Sequence, residues 1–511
     1  MKRIGDSGVI APRTIGLLVT SGFVASLVAA CSSGSPPAQA DGGCEGGLYT
    51  NCAATTLPCT QGSLVSDGKG HALKTFCAPG DPGPNKIYVT ASGETLSLVG
   101  FLFPPAASPD NTFMVDGWNF ALKAYITIFT AVTLWQDPDT SSSNQGLHGP
   151  QVAQLNGPFV VDLHKGTSTG PIIVGQGGMG EEATPIGVLG GQSNGTGFDP
   201  TARYAFGFST IQPTAIPAAS GSGSDPYNAY NVNLDASEAP YYEYMVQNGY
   251  TVLYVGTATW AGTQPWENLS NGPQPTPAAS DEAPPGSYCT ETAVKPPYSF
   301  AKPFPTTMDF WLGFSTPTDY VNCQNGSEFP GEPGINPNED HPRGIQIKTS
   351  GSVPAQVTIH MDHPFWESFA ENSPLHWDHI AAQFVGTNDT TCDPTLASGG
   401  PHCVHTEDFK TLGGVTGKPP MDFTAFADKN DEPLPFRNCV GSDDYTPLGS
   451  GQMFYNPLTV PVCIGKDTPA KCLGSYYDFI RYSQSTQGHL NSQGFCFIDR
   501  QYPSPGGSST P

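Results

Sequence analysis

Short runs of β-branched and aromatic residues, each bounded by glycine, proline or other turn formers, recur along most of this chain. They are KIYVTAS (86–92), TLSLVGFLF (95–103), ALKAYITIFTAVTLW (121–135), FVVDLH (159–164), PIIVG (171–175), RYAFGFSTI (203–211), YTVLYVGTATW (250–260), MDFWLGF (308–314), IQIKTS (345–350) and AQVTIH (355–360). Runs of this kind are strand signals. With 60 Gly and 51 Pro in 511 residues, the chain has little room for long helices. The expectation is a mainly β protein: an antiparallel β-sandwich or barrel-like domain with few short helices and a disulfide-rich C-terminal extension.

Three helices are expected. Ser237-Glu238-Ala239-Pro240 opens one through YYEYMVQ, and Asn248-Gly249 closes it. Ser373-Pro374 starts a second, with Ser as cap and Pro in the first turn. SYYDFIRYSQ, from Ser475, makes a third.

The N-terminus reads as an export signal. Lys2, Arg3 and Arg13 precede the apolar stretch IGLLVTSGFVASLVAA, which ends in small residues before Cys31. That order matches the lipobox of bacterial lipoproteins, in which the cysteine is lipidated and becomes the new N-terminus. A Ser/Gly/Pro-rich tether follows. Ser32 and Ser33, without an Asp beside the cysteine, point to the outer membrane of a bacterial envelope, with the lipid at Cys31 as membrane partner. Four zones result: 1–30 signal peptide, 31–80 tether and Cys-rich collar, 81–385 β-sandwich domain, and 386–511 a Cys-, Gly- and Pro-rich extension.

The other twelve of the thirteen cysteines form an even set in an exported chain, which argues for disulfides. None forms CxxC. Local pairing among Cys44, Cys52, Cys59 and Cys77 is expected, and Cys289 with Cys323. The net charge of −24, with 21 Lys and Arg against 45 Asp and Glu, disfavours nucleic acid and anionic lipid, and mildly favours cations.

Chemistry concentrates in VTIHMDHPFWESFAENSPLHWDH (357–379). It holds four of the eleven histidines as two His-x-x-His pairs. A strand delivers His360, Pro364 holds His363 extended, and a helix from Ser373 puts His376 and His379 on one face near its N-terminus. There the helix dipole favours neutral imidazole, the form that binds metal. Copper or zinc is the expected ion, with His360, His363, His376 and His379 as ligands. Asp362, Glu367 and Asp378 are available as further ligands or supporting acceptors, and Met361 as a soft ligand for copper. The plain alternative is that these side chains only pack and cap. His402 and His405 beside Cys403, with Glu407 and Asp408, form a weaker cluster, and His164 stands alone after a strand.

Two motif matches carry no function. Gly191-Gln192-Ser193-Asn194-Gly195 fits G-x-S-x-G but is followed by turn residues where a nucleophile elbow needs a helix. Gly175 to Gly180 fits GxGxxG without the β-α alternation of a dinucleotide fold.

Four patches between 112 and 385 resemble the periplasmic copper-binding protein family associated with methanobactin operons. They are AYITIFTAVTLW after Asp116-Gly117, RYAFGFSTI, LDASEAPYYEYMVQNGYTVLYV, and MDFWLGF followed later by IQIKTSGSVPAQVTIH. The resemblance implies a copper-binding β-sandwich. It departs in its first strand, where the family's histidine has no counterpart, and no ligand is carried over.

The leading expectation is therefore a lipid-anchored exported protein that binds copper or zinc through a histidine cluster, with no turnover required. A metal-free envelope scaffold is the alternative. An exported metallohydrolase would need a poised carboxylate, for which Glu367 is the candidate.

Overall fold

A computed structural model describes residues 65–103, 112–114, 116–141, 144–165, 183–261, 307–328, 341–366, 375–377, 380, 403–405 and 476–502. The signal, Cys31 and its tether, the proline-rich stretch 265–305, and Gly175 to Gly180 lie outside them. So do Glu367, Asp378, His379, His402, Glu407 and Asp408. All described residues belong to one compact unit, Gly42–Pro511.

The protein is mainly β, with few short helices and two sheets, here numbered in chain order. The large sheet has eleven strands. Its main path runs β1 (Lys74–Thr75), β7 (Tyr230–Asn231), β4 (Gln151–Asp162), β3 (Trp118–Gln136), β6 (Arg203–Thr210), β10 (Thr318–Val321) and β16 (Phe497–Arg500). Strands β8 (Val252–Trp260), β9 (Thr307–Phe314), β11 (Ile345–Gln346) and β13 (Cys403–His405) branch from it. The small sheet orders β15 (Gly494–Phe495), β14 (Gly488–Leu490), β12 (Val353–Ile359), β2 (Ile87–Ser92) and β5 (Thr184–Leu189).

The expected antiparallel arrangement is corrected in part. β12 runs parallel to β2, and β7 runs parallel to both β1 and β4, so the sheets are mixed. Neither closes into a barrel among the described residues.

Nineteen-residue β3 is the spine. Its first half pairs with β8 and its second with β6, while β4 takes the other edge. Side chains alternate across a strand, so an extra residue reverses which parity faces a core. Register shifts between Leu122 and Ala124 and between Phe129 and Ala131 do this twice. Phe120, Tyr125, Phe129 and Val132 thereby share one core with Val89, Val357 and Leu490 of the small sheet. Ala124, Ile126 and Ile128 enter a second core with Tyr242 and Met245 of helix α2 (Ala239–Asn248).

α2 follows a capping box between Asp235 and Glu238 and ends at Gly249, whose φ of 68° suits a residue without Cβ. α3 (Tyr476–Ser485) forms where the sequence places it. Two expectations fail locally. TLSLV is not a strand: α1 (Glu94–Val99) forms between Gly93 and Gly100, with Ser97 Oγ bonding back to the Glu94 carbonyl. Of the helix expected from Ser373, residues Leu375, His376 and Trp377 are not helical. Leu375 bridges to Met114 and Trp366, and the next two amides donate to the Phe365 carbonyl and the Asp116 carboxylate. Those partners replace the ones a helix would supply.

Cys323 bonds to Cys496, 173 residues away, and not to Cys289. Strands β14 to β16 fall in the stretch assigned to the C-terminal extension, yet they pair within both sheets. No helix among the described residues is long and apolar enough to cross a membrane.

Candidate metal centre

β12 ends at Ile359, and the His360 amide donates to the Gln487 carbonyl in the turn between α3 and β14. β14 then runs antiparallel to β12 with His489 opposite Thr358. Opposed residues share a face, and so do residues two apart, so this register puts His489 beside His360. Their rings stack with centroids 4.1 Å apart. After His360 the chain turns through a short 3-10 segment, His363–Phe365, with Pro364 in its first turn. His363 comes within 5.6 Å of both other rings, centroid to centroid.

His360, His363 and His489 each offer one nitrogen, and these lie within 4.8 Å of one another. Ligands on one zinc at ~2.0–2.1 Å stand roughly 3.3 Å apart in a tetrahedron, so the rings must draw inward to share an ion. His363 and His489 are buried, and the His360 side chain is 12% exposed. Three histidines this close could hold a metal.

The hydrogen-bond network assigns the tautomers. His360 Nε2 lies 2.9 Å from the Ser492 carbonyl, which can only accept, so a proton is on Nε2 and the neutral ring has its lone pair on Nδ1. The same Nε2 is 3.4 Å from Glu94 Oε1. His363 Nδ1 is 2.7 Å from Thr486 Oγ1, whose own proton goes to the Ser483 carbonyl. His363 therefore donates from Nδ1 and keeps its lone pair on Nε2. Outer partners of this kind orient metal-ligating histidines. His489 differs: neither of its buried ring nitrogens makes a well-formed hydrogen bond among the described residues, although the Gln493 backbone acts on the ring.

Burial pushes His363 down to about 3, with His360 adding to the shift and Asp362 opposing it. Burial also holds His489 well below the ordinary histidine range, helped by His360 and His363 and weakly opposed by the Gln493 backbone. Both rings are neutral at physiological pH, as metal binding requires.

The structure brings two sequence-selected histidines together and adds a third that the sequence did not single out. His376 is elsewhere: buried, with Nδ1 4.0 Å from Asp116 Oδ2, the carboxylate oxygen that also accepts from the Trp377 amide. His379 lies outside the described residues. Met361 is buried in the large core, and Asp362 accepts from the Trp366 indole. His164 Nδ1 bonds the Ser97 carbonyl at 2.6 Å, a structural role. Gln192 to Gly195 form a turn closed by their own backbone, not a nucleophile elbow. The only local hint of His489 was a glycine and histidine just past a helix; its pairing with Thr358 has no short-range signature.

No family model, curated protein or solved structure matches this chain.

Proposed function

We propose that this is an exported, lipid-anchored bacterial envelope protein that binds copper or zinc through His360, His363 and His489. The observation that carries the reading is His489. A buried polar group without a well-formed hydrogen bond costs about 1–3 kcal/mol, and this one stacks against the His360 ring and lies close to that of His363. A cation would take up the lone pair on one of its two nitrogens. All three donors are imidazoles, a set that suits zinc and copper better than magnesium or calcium. Burial of two of the three rings favours holding an ion over turning over a substrate, since catalytic metal sites keep an open position. The lipobox at Cys31 supports the envelope location, and the copper-family resemblance supports the choice of ion.

The test is elemental analysis of the protein exported to an oxidising periplasm, beside a His489→Ala variant. About one copper or zinc per chain, lost in the variant while the fold persists, is the expected result. A metal-free scaffold is the second reading, favoured by His363 stacking on Trp366 at 3.8 Å, which is ordinary aromatic packing. No metal in either protein after reconstitution would select it.

A further inference from the structure

Glu94 opens α1 with φ 59°, a conformation uncommon for a residue with Cβ. Ser492, just past β14, has φ 68°. These two unusual positions meet behind His360. Ser492 Oγ donates to Glu94 Oε1 at 2.8 Å. The Ser492 carbonyl accepts from His360 Nε2, and Glu94 Oε1 stands 3.4 Å from the same nitrogen. Both segments are pinned to the small sheet: the Glu94 amide donates to Ser92 Oγ at 2.9 Å, and the Ser492 amide to Thr358 Oγ1 at 3.0 Å. Two acceptors, one of them charged, thus face the outer nitrogen of the least buried histidine in the cluster.

We propose that Glu94 is a positioning residue for the metal centre. It holds the His360 proton on Nε2, both directly and by fixing Ser492, and so commits the lone pair to Nδ1. Its carboxylate also makes the ring a stronger donor. This rests on the metal-binding reading of His360, His363 and His489. Carboxylates in this role change metal affinity by about 10- to 100-fold when removed.

The experiment compares the full chain with Glu94→Ala and Glu94→Gln. Imidazole nitrogen shifts of the metal-free proteins report the His360 tautomer, and titration with zinc against a competing chelator reports affinity. The wild type is expected to hold His360 as the Nε2–H form. Glu94→Ala should mix the tautomers and weaken zinc binding by about 10- to 100-fold. Glu94→Gln keeps an acceptor oxygen without the charge, so it should keep the tautomer and lose a smaller part of the affinity. Unchanged tautomer and unchanged affinity in Glu94→Ala would overturn the proposal. Should that variant not fold, unchanged zinc affinity in Glu94→Gln would overturn the charge's part in it. Absence of zinc binding in the wild type, with a tautomer that still answers to Glu94, would remove the metal reading and leave the positioning of His360 standing.

Discussion

His489 is where function and stability pull apart. Its ring is buried with neither nitrogen in a well-formed hydrogen bond among the described residues, so in the metal-free protein it is a cost. His489→Leu, close in size and free of polar atoms, should raise the stability of the metal-free protein by about 1 kcal/mol and abolish metal uptake. Denaturant unfolding and elemental analysis check the two halves. His376→Ala is the control: it should lower stability by about 2 kcal/mol and leave uptake intact, because His376 packs beside Asp116 and not in the cluster. The same burial sets a pH dependence. Unfolded histidine takes a proton near ~6.5, whereas folded His363 resists it until about 3 and His489 is also held well down. Between those values the unfolded state binds more protons, so stability falls as pH drops. The slope is about 1.4 kcal/mol per pH unit for each ring, flattening below the folded value. Denaturant midpoints of the metal-free protein from neutral pH to mild acid should therefore fall, and fall less steeply in His489→Leu. Equal slopes would contradict the assigned burial.

At the scale of elements, the centre depends on β14 lying in one register against β12. Gly488 permits this, because a Cβ there would meet the Tyr320 ring at 2.3 Å. Gly488→Ala should cost about 1–3 kcal/mol through overpacking and reduce metal uptake by displacing the strand that carries His489. An unaltered midpoint and full uptake would show that the register tolerates the shift. The elements differ in how legible they were. β3, β8, β9 and β12 are dense in β-branched and aromatic residues between turn signals, and α2 and α3 carry helical patterns, so each was readable locally. TLSLV was misread because its apolar residues suit either structure, and the glycines at 93 and 100 with the Ser97 bond to Glu94 decide for helix. β14 and β15 have three and two residues and carry no pattern of their own. β14 is a strand because β12 offers it an edge, and β15 because β14 does.

At the scale of the molecule, the lipid anchor is the remaining prediction. Cys31→Ala should move the protein from the membrane fraction to the soluble one, checked by fractionating cells that express each form; retention in the membrane would remove the anchor from the reading. The sequence by itself determined the β-rich character and the short helices. It also determined the acidic charge balance and the closeness of His360 to His363. These follow from composition and from periodicity over a few residues, which local backbone sterics and side-chain alternation impose. Only the tertiary structure decided that His489 completes the cluster and that His376 belongs to Asp116. The Cys323–Cys496 bond and the mixed sheets were likewise settled there. Each of these joins segments more than a hundred residues apart or sets a strand's direction. Such choices are made by which faces must be buried together, and nothing in either segment alone states its partner.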